Sequence, residues 1–155
     1  MVSVRPYASS DTGLFLAQQK GLGDANVIEV KDYLNVPSDV FVVTEKTYEE
    51  KKDELEKLIN AYRNSAQWMV DNPEEAASLA KKYAIDGKDE EVNLEIIKLR
   101  NASTLSDDTK NRGLGAIDVN LLQAGADTYR QLGLVKNKLD LSQVVTEEFL
   151  EENNR

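Results

Sequence analysis

Residues 47–84 read TYEEKKDELEKLINAYRNSAQWMVDNPEEAASLAKKYA, and this stretch decides the fold expected for the chain. Apolar side chains recur there at steps of three and four residues, which places them on one face of a helix with 3.6 residues per turn. They are Leu55, Leu58, Ile59, Tyr62, Ala66 and Met69. The stretch therefore predicts an amphipathic helix whose apolar face is buried against other parts of the fold.

Two local signals predict where the helices of this stretch begin. Thr47, followed three residues later by Glu50, is typical of a capping box, in which each side chain accepts a hydrogen bond from a backbone N–H at the helix start. Asn72 can cap a second helix, and Pro73 suits its first position because no N–H is needed there. We therefore expect two helices that meet at a corner at Asn72-Pro73.

The residues before this pair of helices show strand patterns. Short β-branched or apolar runs at residues 2–4, 26–30 and 39–44 predict strands. Residues 14–20 between the first two runs predict a helix that ends at Gly21, where glycine allows a left-handed backbone. Strands separated by a helix are typical of an α/β fold.

Every element predicted after residue 84 is a helix. One of them begins at Asp118, its predicted cap, and runs to Leu132 before Gly133. A short acidic helix with Glu147 and Glu148 is expected near the C-terminus, and we interpret its carboxylates mainly as a solvated face. The predicted fold class is thus α/β but dominated by helices, with a few strands followed by C-terminal helices.

Composition excludes several classes of function. The 155 residues include 19 basic and 28 acidic side chains, a net charge of −9, which disfavours binding to nucleic acid or to anionic lipid. No apolar run approaches the roughly 20 residues of a membrane span. The sequence has no cysteine and no histidine, so disulfides, thiolate metal sites and histidine catalysis are excluded within it. No signal peptide is visible, which fits a cytosolic protein or an exported one without its leader.

No motif for catalysis stands out. Gly113-Leu-Gly115 lacks the third glycine and the preceding strand of a dinucleotide-binding loop. Asp107-Asp108 and the paired glutamates are neighbours in sequence without the spacing of metal ligands. We therefore predict no catalytic residue, no metal site and no cofactor.

Three stretches carry a family resemblance. They are AYRNSAQWMVDNPEEAASLA at residues 61–80, LLQAGADTYRQLGLVKNKLDLSQVVTEEFL at residues 121–150 and, more weakly, residues 21–44. In order and spacing they resemble the C-terminal portion of periplasmic-type (type 2) substrate-binding proteins of ABC importers. The group in question is NMT1/THI5-like and serves nitrate, sulfonates, taurine and pyrimidine precursors of thiamine.

The resemblance implies two α/β lobes that close around a small ligand. Residues 1–39 would form the end of the second lobe (strand, helix, strand), residues 40–46 a crossing strand at the hinge, and residues 47–155 the C-terminal helical part of the first lobe. The family's N-terminal half has no counterpart here. In an alternative alignment, residues 2–24 resemble the family's opening strand and first helix. Either way half of the cleft is absent, so weak ligand binding or none is expected.

The best candidate ligand site precedes the first predicted helix. In open α/β sheets ligands lie between a strand end and a helix start, where hydroxyls and backbone N–H groups suit a small anion. Arg5 could pair with a sulfonate, nitrate or carboxylate, and Tyr7 could stack on a flat ligand. The predicted ligand-binding residues are Arg5, Tyr7, Ser9, Ser10, Thr12 and, beside the hinge, Asn35. An ordinary capped turn explains the same residues.

The predicted function follows from the resemblance. The chain is expected to be a non-enzymatic solute-binding component of an ABC-type importer, or a fragment of one, for a small anionic or heterocyclic solute. Its partners would be ABC permease subunits, and its location extracytoplasmic. The alternatives are a helical interaction domain without a ligand and an enzyme similar to a pyrimidine-precursor synthase. Because a few strands and striped helices cannot cover one another completely, the chain alone is expected either to self-associate or to repack as a compact helical domain.

Overall fold

The computed structural model describes residues 6–37, 39–85 and 89–150. Seven α-helices occur in these ranges, together with single 3₁₀ turns at Val30–Asp32 and Leu141–Gln143. The helices are α1 (Asp11–Gln19), α2 (Glu45–Glu50), α3 (Lys52–Asp71), α4 (Pro73–Tyr83), α5 (Glu90–Thr104), α6 (Asp107–Arg112) and α7 (Val119–Gln131).

The predicted α/β class was wrong, because the described residues contain helices and no strand. Residues 39–44 have no regular secondary structure, and the run at 26–30 has none before the 3₁₀ turn at Val30. Their side chains are largely exposed, with Ile28 at 78% and Val42 at 83%. A strand persists only where a neighbour takes up its backbone N–H and C=O groups, and the described ranges supply no such neighbour. The run at residues 2–4 lies outside them.

Helix α2 begins three residues earlier than predicted. The Thr44 hydroxyl, and not that of Thr47, caps it and accepts a hydrogen bond from the Thr47 N–H at 3.1 Å. Thr47 is therefore the third residue of the helix, and its own hydroxyl lies 2.9 Å from that of Thr44. The prediction failed because two threonines three residues apart both have the side chain that a cap requires.

The chain divides into two compact units. Unit 1 comprises Met1–Ile28 and Asn72–Ser103, and unit 2 comprises Glu29–Asp71 and Thr104–Arg155. One boundary falls at the predicted corner, where Pro73 opens α4, although the Asn72 side chain does not cap that helix. The predicted division into lobes stays a prediction.

Unit 1 contains α1, α4 and most of α5. Its buried side chains are small or medium in size: Ala76 and Ala77 of α4, and Asn93 and Ile97 of α5. The Ser103 hydroxyl at the end of α5 donates to the Asp11 carboxylate at the start of α1 at 3.0 Å. This bond fixes the first turn of α1 within the unit.

In unit 2, Arg63 of α3 connects segments that are distant in sequence. Its Nε donates to the Leu114 carbonyl at 2.8 Å, and its Nη1 donates to the Phe149 carbonyl at 3.4 Å. Leu114 and Leu150 beside these carbonyls are buried. The long helix is thereby tied to the loop after α6 and to the end of the described chain.

Helix α7 ends as predicted at Gly133. The Gly133 N–H donates to the Arg130 carbonyl at 3.0 Å and the Leu134 N–H donates to the Tyr129 carbonyl at 2.9 Å, which is the pair of bonds in a Schellman motif. Gly133 has a φ of +75°, in the left-handed region. Helix α1 closes in the same way at Gly21, where φ is +95°.

We predict that Gly133→Ala lowers the free energy of unfolding by about 1–2 kcal/mol, because a Cβ is strained at this positive φ. No heavy atom lies within 4 Å of the added Cβ, so steric crowding does not contribute. Urea denaturation followed by circular dichroism measures the change.

Gly23→Ala is the matched control. Gly23 also has open space around it, but its φ is not positive, so alanine should leave stability unchanged or raise it slightly. Equal losses in the two variants would contradict the assignment of strain to Gly133.

Candidate functional site

Three predicted site residues lie together at the start of α1. Ser10 is the N-cap, and its hydroxyl accepts a hydrogen bond from the Gly13 N–H at 3.1 Å. The hydroxyls of Ser10 and Thr12 lie 3.2 Å apart. Because capping depends on neighbouring residues alone, this local arrangement could be predicted from the sequence.

The third hydroxyl, that of Ser9, lies against the first turn of α1. A Cβ placed on Gly13 would be 2.3 Å from Ser9 Oγ, a distance that no real side chain allows. Glycine at this position is therefore what lets Ser9 approach the helix. Ser9, Ser10 and Thr12 form a small polar surface around the helix start, which we call the α1 hydroxyl site.

A carboxylate gives this site negative charge. Asp11 Oδ1 accepts from the Thr12 N–H at 2.7 Å, and Asp11 Oδ2 accepts from the Ser103 hydroxyl at 3.0 Å. Negative charge is favourable at a helix N-terminus. The backbone donors of Thr12 and Gly13 are thus already engaged by side chains of the site. A bound anion would have to compete with Asp11 for the Thr12 N–H and with Ser10 for the Gly13 N–H.

The other predicted site residues are placed as follows. Tyr7 is 89% exposed, and Arg5 lies outside the described residues. Asn35 is exposed and belongs to unit 2, where its neighbour Val36 packs closely on α7: a Cβ on Gly125 would lie 3.1 Å from Val36 Cγ1. Ligand binding by these residues stays a prediction.

Sequence reasoning missed a second polar cluster, which is in unit 2. Glu148 accepts hydrogen bonds from Lys52 Nζ at 2.7 Å and from the Tyr48 hydroxyl. Glu147 accepts from the Ile117 N–H at 2.6 Å and also from Arg112. Both carboxylates are therefore paired and do not form a solvated face. Tyr48 and Glu148 are 100 residues apart, so no local pattern could reveal the contact.

Charge and hydrogen bonding in this cluster shift three pKa values. The ammonium of Lys52, and then the Tyr48 hydroxyl, hold the pKa of Glu148 below its ordinary value of 4.5. The hydrogen bonds to Glu148 raise the pKa of Lys52 and of Tyr48. Such shifts accompany both functional and structural ion pairs, and the fixed partners on α2 and α3 favour a structural role here.

We predict that Glu148→Gln destabilises the protein at neutral pH and has less effect in acid. A carboxyl whose pKa is lowered by folding stabilises the fold above its unfolded-state pKa, and this contribution is lost as the pH falls through the folded-state pKa. The melting temperatures of variant and wild type should therefore converge between about pH 5 and about pH 3.

Glu49→Gln is the matched control, because Glu49 is exposed beside Tyr48 on α2. It should leave the melting temperature unchanged across the same range. A difference between Glu148→Gln and wild type that persisted undiminished at about pH 3 would contradict the ion-pair explanation.

Comparison with known proteins gives one match. Residues 8–76 match the family model described as NMT1/THI5 like, a range that contains the α1 hydroxyl site and Asn35. No curated protein and no solved structure matches the chain significantly.

In the ranges described, no helix has the length and apolarity needed to cross a membrane. The family suggests a solute-binding role and is mostly non-enzymatic and typically extracytoplasmic. Residues 8–76 are thus similar to the NMT1/THI5-like family, which confirms over this range the resemblance predicted from the sequence.

Proposed function

We propose that this chain is a solute-binding component of an ABC-type importer, or a segment of one, for a small anionic or heterocyclic solute. The observation that supports the proposal is the family match over residues 8–76. The match includes the start of α1, where the hydroxyls of Ser9, Ser10 and Thr12 are clustered. Sulfonates, nitrate and pyrimidine precursors of thiamine are the candidate solutes.

Among these solutes, the α1 hydroxyl site favours a neutral heterocycle. The Asp11 carboxylate only accepts hydrogen bonds and repels anions, whereas amino or hydroxyl groups on a pyrimidine can donate to it. The serine and threonine hydroxyls can donate to ring nitrogens. The exposed ring of Tyr7 is available for stacking on a flat ligand.

The proposed mechanism is ligand-dependent closure. In a two-lobed binding protein, a solute that contacts both lobes raises the population of the closed state by its difference in affinity for the two states. The α1 hydroxyl site would supply the contacts from one side. The proposed partners are ABC permease subunits, and the proposed location is extracytoplasmic.

The alternative function is a helical interaction domain that binds no solute. Exposed apolar side chains favour it, because large residues such as Val42 and Ile28 lie mostly in solvent. Exposed apolar surface of this kind marks sites of association when it is contiguous. Absence of any solute effect at the α1 hydroxyl site would favour this alternative.

The proposal is tested by titrating the ¹⁵N-labelled chain with a hydroxymethylpyrimidine, taurine and nitrate. We expect weak but saturable changes in the amide signals of residues 9–13 with the pyrimidine. Tyr7→Ala should weaken this binding roughly fivefold, because one stacking contact is lost. Tyr33→Ala, a second highly exposed tyrosine, is the control and should bind like wild type.

Two outcomes would count against the proposal. If none of the three solutes changes the signals of residues 9–13, the α1 hydroxyl site is not a solute site. If taurine or nitrate binds there and the pyrimidine does not, the preference for a neutral heterocycle is wrong, while the solute-binding role stands.

A further inference from the structure

The end of α7 carries concentrated positive charge in an acidic protein. Residues 129–138 read YRQLGLVKNK and contain Arg130, Lys136 and Lys138 but no acidic side chain. The whole chain has 28 acidic and 19 basic side chains. This segment therefore has a net positive charge, whereas the protein as a whole has a net negative charge.

Exposed apolar side chains alternate with these cations along the sequence. Leu132 is 68% and Leu134 is 71% exposed, and Tyr129 is also exposed. Arg130 and Lys136 line an open depression of about 440 Å³ together with Gln131, Gly133 and Val135. We call this surface, defined by Tyr129, Arg130, Leu132, Leu134, Lys136 and Lys138, the α7 exit surface.

The backbone of the α7 exit surface is fixed by the Schellman motif at Gly133. A further bond follows it, because the Val135 N–H donates to the same Tyr129 carbonyl at 3.3 Å. The backbone from Tyr129 to Val135, which lines the depression, is thus ordered before any partner binds. Preorganisation of this kind reduces the entropy lost on binding.

The cations of this surface are available for a partner. In the described part of the chain, none of Arg130, Lys136 and Lys138 forms an ion pair within 4.0 Å. Asp140 follows Lys138 closely, but its carboxylate accepts from the Ser142 hydroxyl at 2.6 Å and from Gln143 Nε2 at 3.0 Å. These hydrogen bonds hold Asp140 at the start of the 3₁₀ turn Leu141–Gln143. Hydrogen bonding to Ser142, and to a smaller extent the charge of Lys138, lowers the pKa of Asp140, so Arg130 and Lys136 are the main cations open to a partner.

The overall charge limits what can bind here. Nucleic acid and anionic membranes are extended surfaces that would also meet the acidic remainder of a protein with net charge −9. A short peptide touches the local surface alone, and repulsion from distant carboxylates is screened beyond about 8 Å at physiological ionic strength. The charge pattern therefore favours a peptide over either extended polyanion.

We propose that the α7 exit surface binds an acidic polypeptide segment of a partner protein. Carboxylates of that segment pair with Arg130 and Lys136, and its aliphatic side chains cover Leu132 and Leu134. This surface lies outside residues 8–76, which match the solute-binding family, so the inference does not depend on the proposed function.

The test measures binding of a short fluorescent peptide composed of glutamate and leucine to the full chain by anisotropy. The double variant Arg130→Glu with Lys136→Glu should weaken binding at least roughly tenfold, because attraction becomes repulsion at both positions. Leu134→Ser should weaken it about threefold through lost apolar contact. Amide signals of residues 129–138 should shift in ¹⁵N spectra.

The matched control reverses two exposed lysines elsewhere, Lys20→Glu with Lys57→Glu, and should retain the affinity of wild type. A peptide of glutamate and serine should bind more weakly than the leucine peptide. Circular dichroism establishes that each variant is folded, as expected for exposed positions.

Several results would overturn the proposal: no binding of the acidic peptide, equal losses in the two double variants, or shifts confined to amides outside residues 129–138. Stronger binding to vesicles of anionic lipid than to the peptide would assign the surface to a membrane. Self-association abolished by Arg130→Glu with Lys136→Glu, without peptide binding, would assign it to a second copy of the chain.

Discussion

The guanidinium of Arg63 is the interaction on which unit 2 most depends. It donates to the carbonyls of Leu114 and Phe149, and hydrogen bonds from a charged donor are stronger than those between neutral groups. The loop between α6 and α7 adapts to it through glycine: a Cβ on Gly113 would lie 3.2 Å from Arg63 Nη2, and Gly113 and Gly115 both have a positive φ. The two glycines of Gly113-Leu-Gly115 therefore have a structural role, because they let the loop pack closely around the Arg63 side chain.

The four consecutive residues 147–150 connect several elements of unit 2. Glu147 binds Arg112 and the Ile117 N–H, and Glu148 binds Tyr48 and Lys52. The Phe149 ring lies 6.3 Å from that of Tyr48 in an edge-on arrangement, and the buried Leu150 would contact a Cβ on Gly115 at 3.4 Å. These consecutive side chains thus attach one short segment to α2, to α3 and to the loop before α7. The contacts bring together positions about a hundred residues apart, and the entropic cost of closing so long a stretch of chain grows only slowly with its length.

The sequence predicted features that depend on near neighbours and failed for those that depend on distant ones. Three predicted features depend only on residues a few positions away: the end of α1 at Gly21, the end of α7 at Gly133 and the cap at Asp118. All three were confirmed. The strand predicted at residues 39–44 was wrong because apolar character alone does not supply a pairing partner; Phe41 instead packs edge-on against Tyr62 at 5.0 Å. The hydroxyls of the α1 site follow from capping, whereas the bond from Ser103 to Asp11 spans 92 residues and could not be foreseen.

The C-terminal ends (exits) of α1 and α7 have the same backbone geometry but differ in their side chains. Both helices end in the same pair of hydrogen bonds with a left-handed glycine. Over ten residues from the matching position, the first exit, AQQKGLGDAN at residues 17–26, has one cation and one acidic side chain, whereas the second, at residues 129–138, has three cations and no acidic side chain. Since the motif itself serves only to satisfy carbonyls at a helix end, it explains neither the charge nor the exposed leucines of the second exit. Leu132 and Leu134 are largely exposed and contribute little to the core of unit 2, so they are available for the contact proposed for the α7 exit surface.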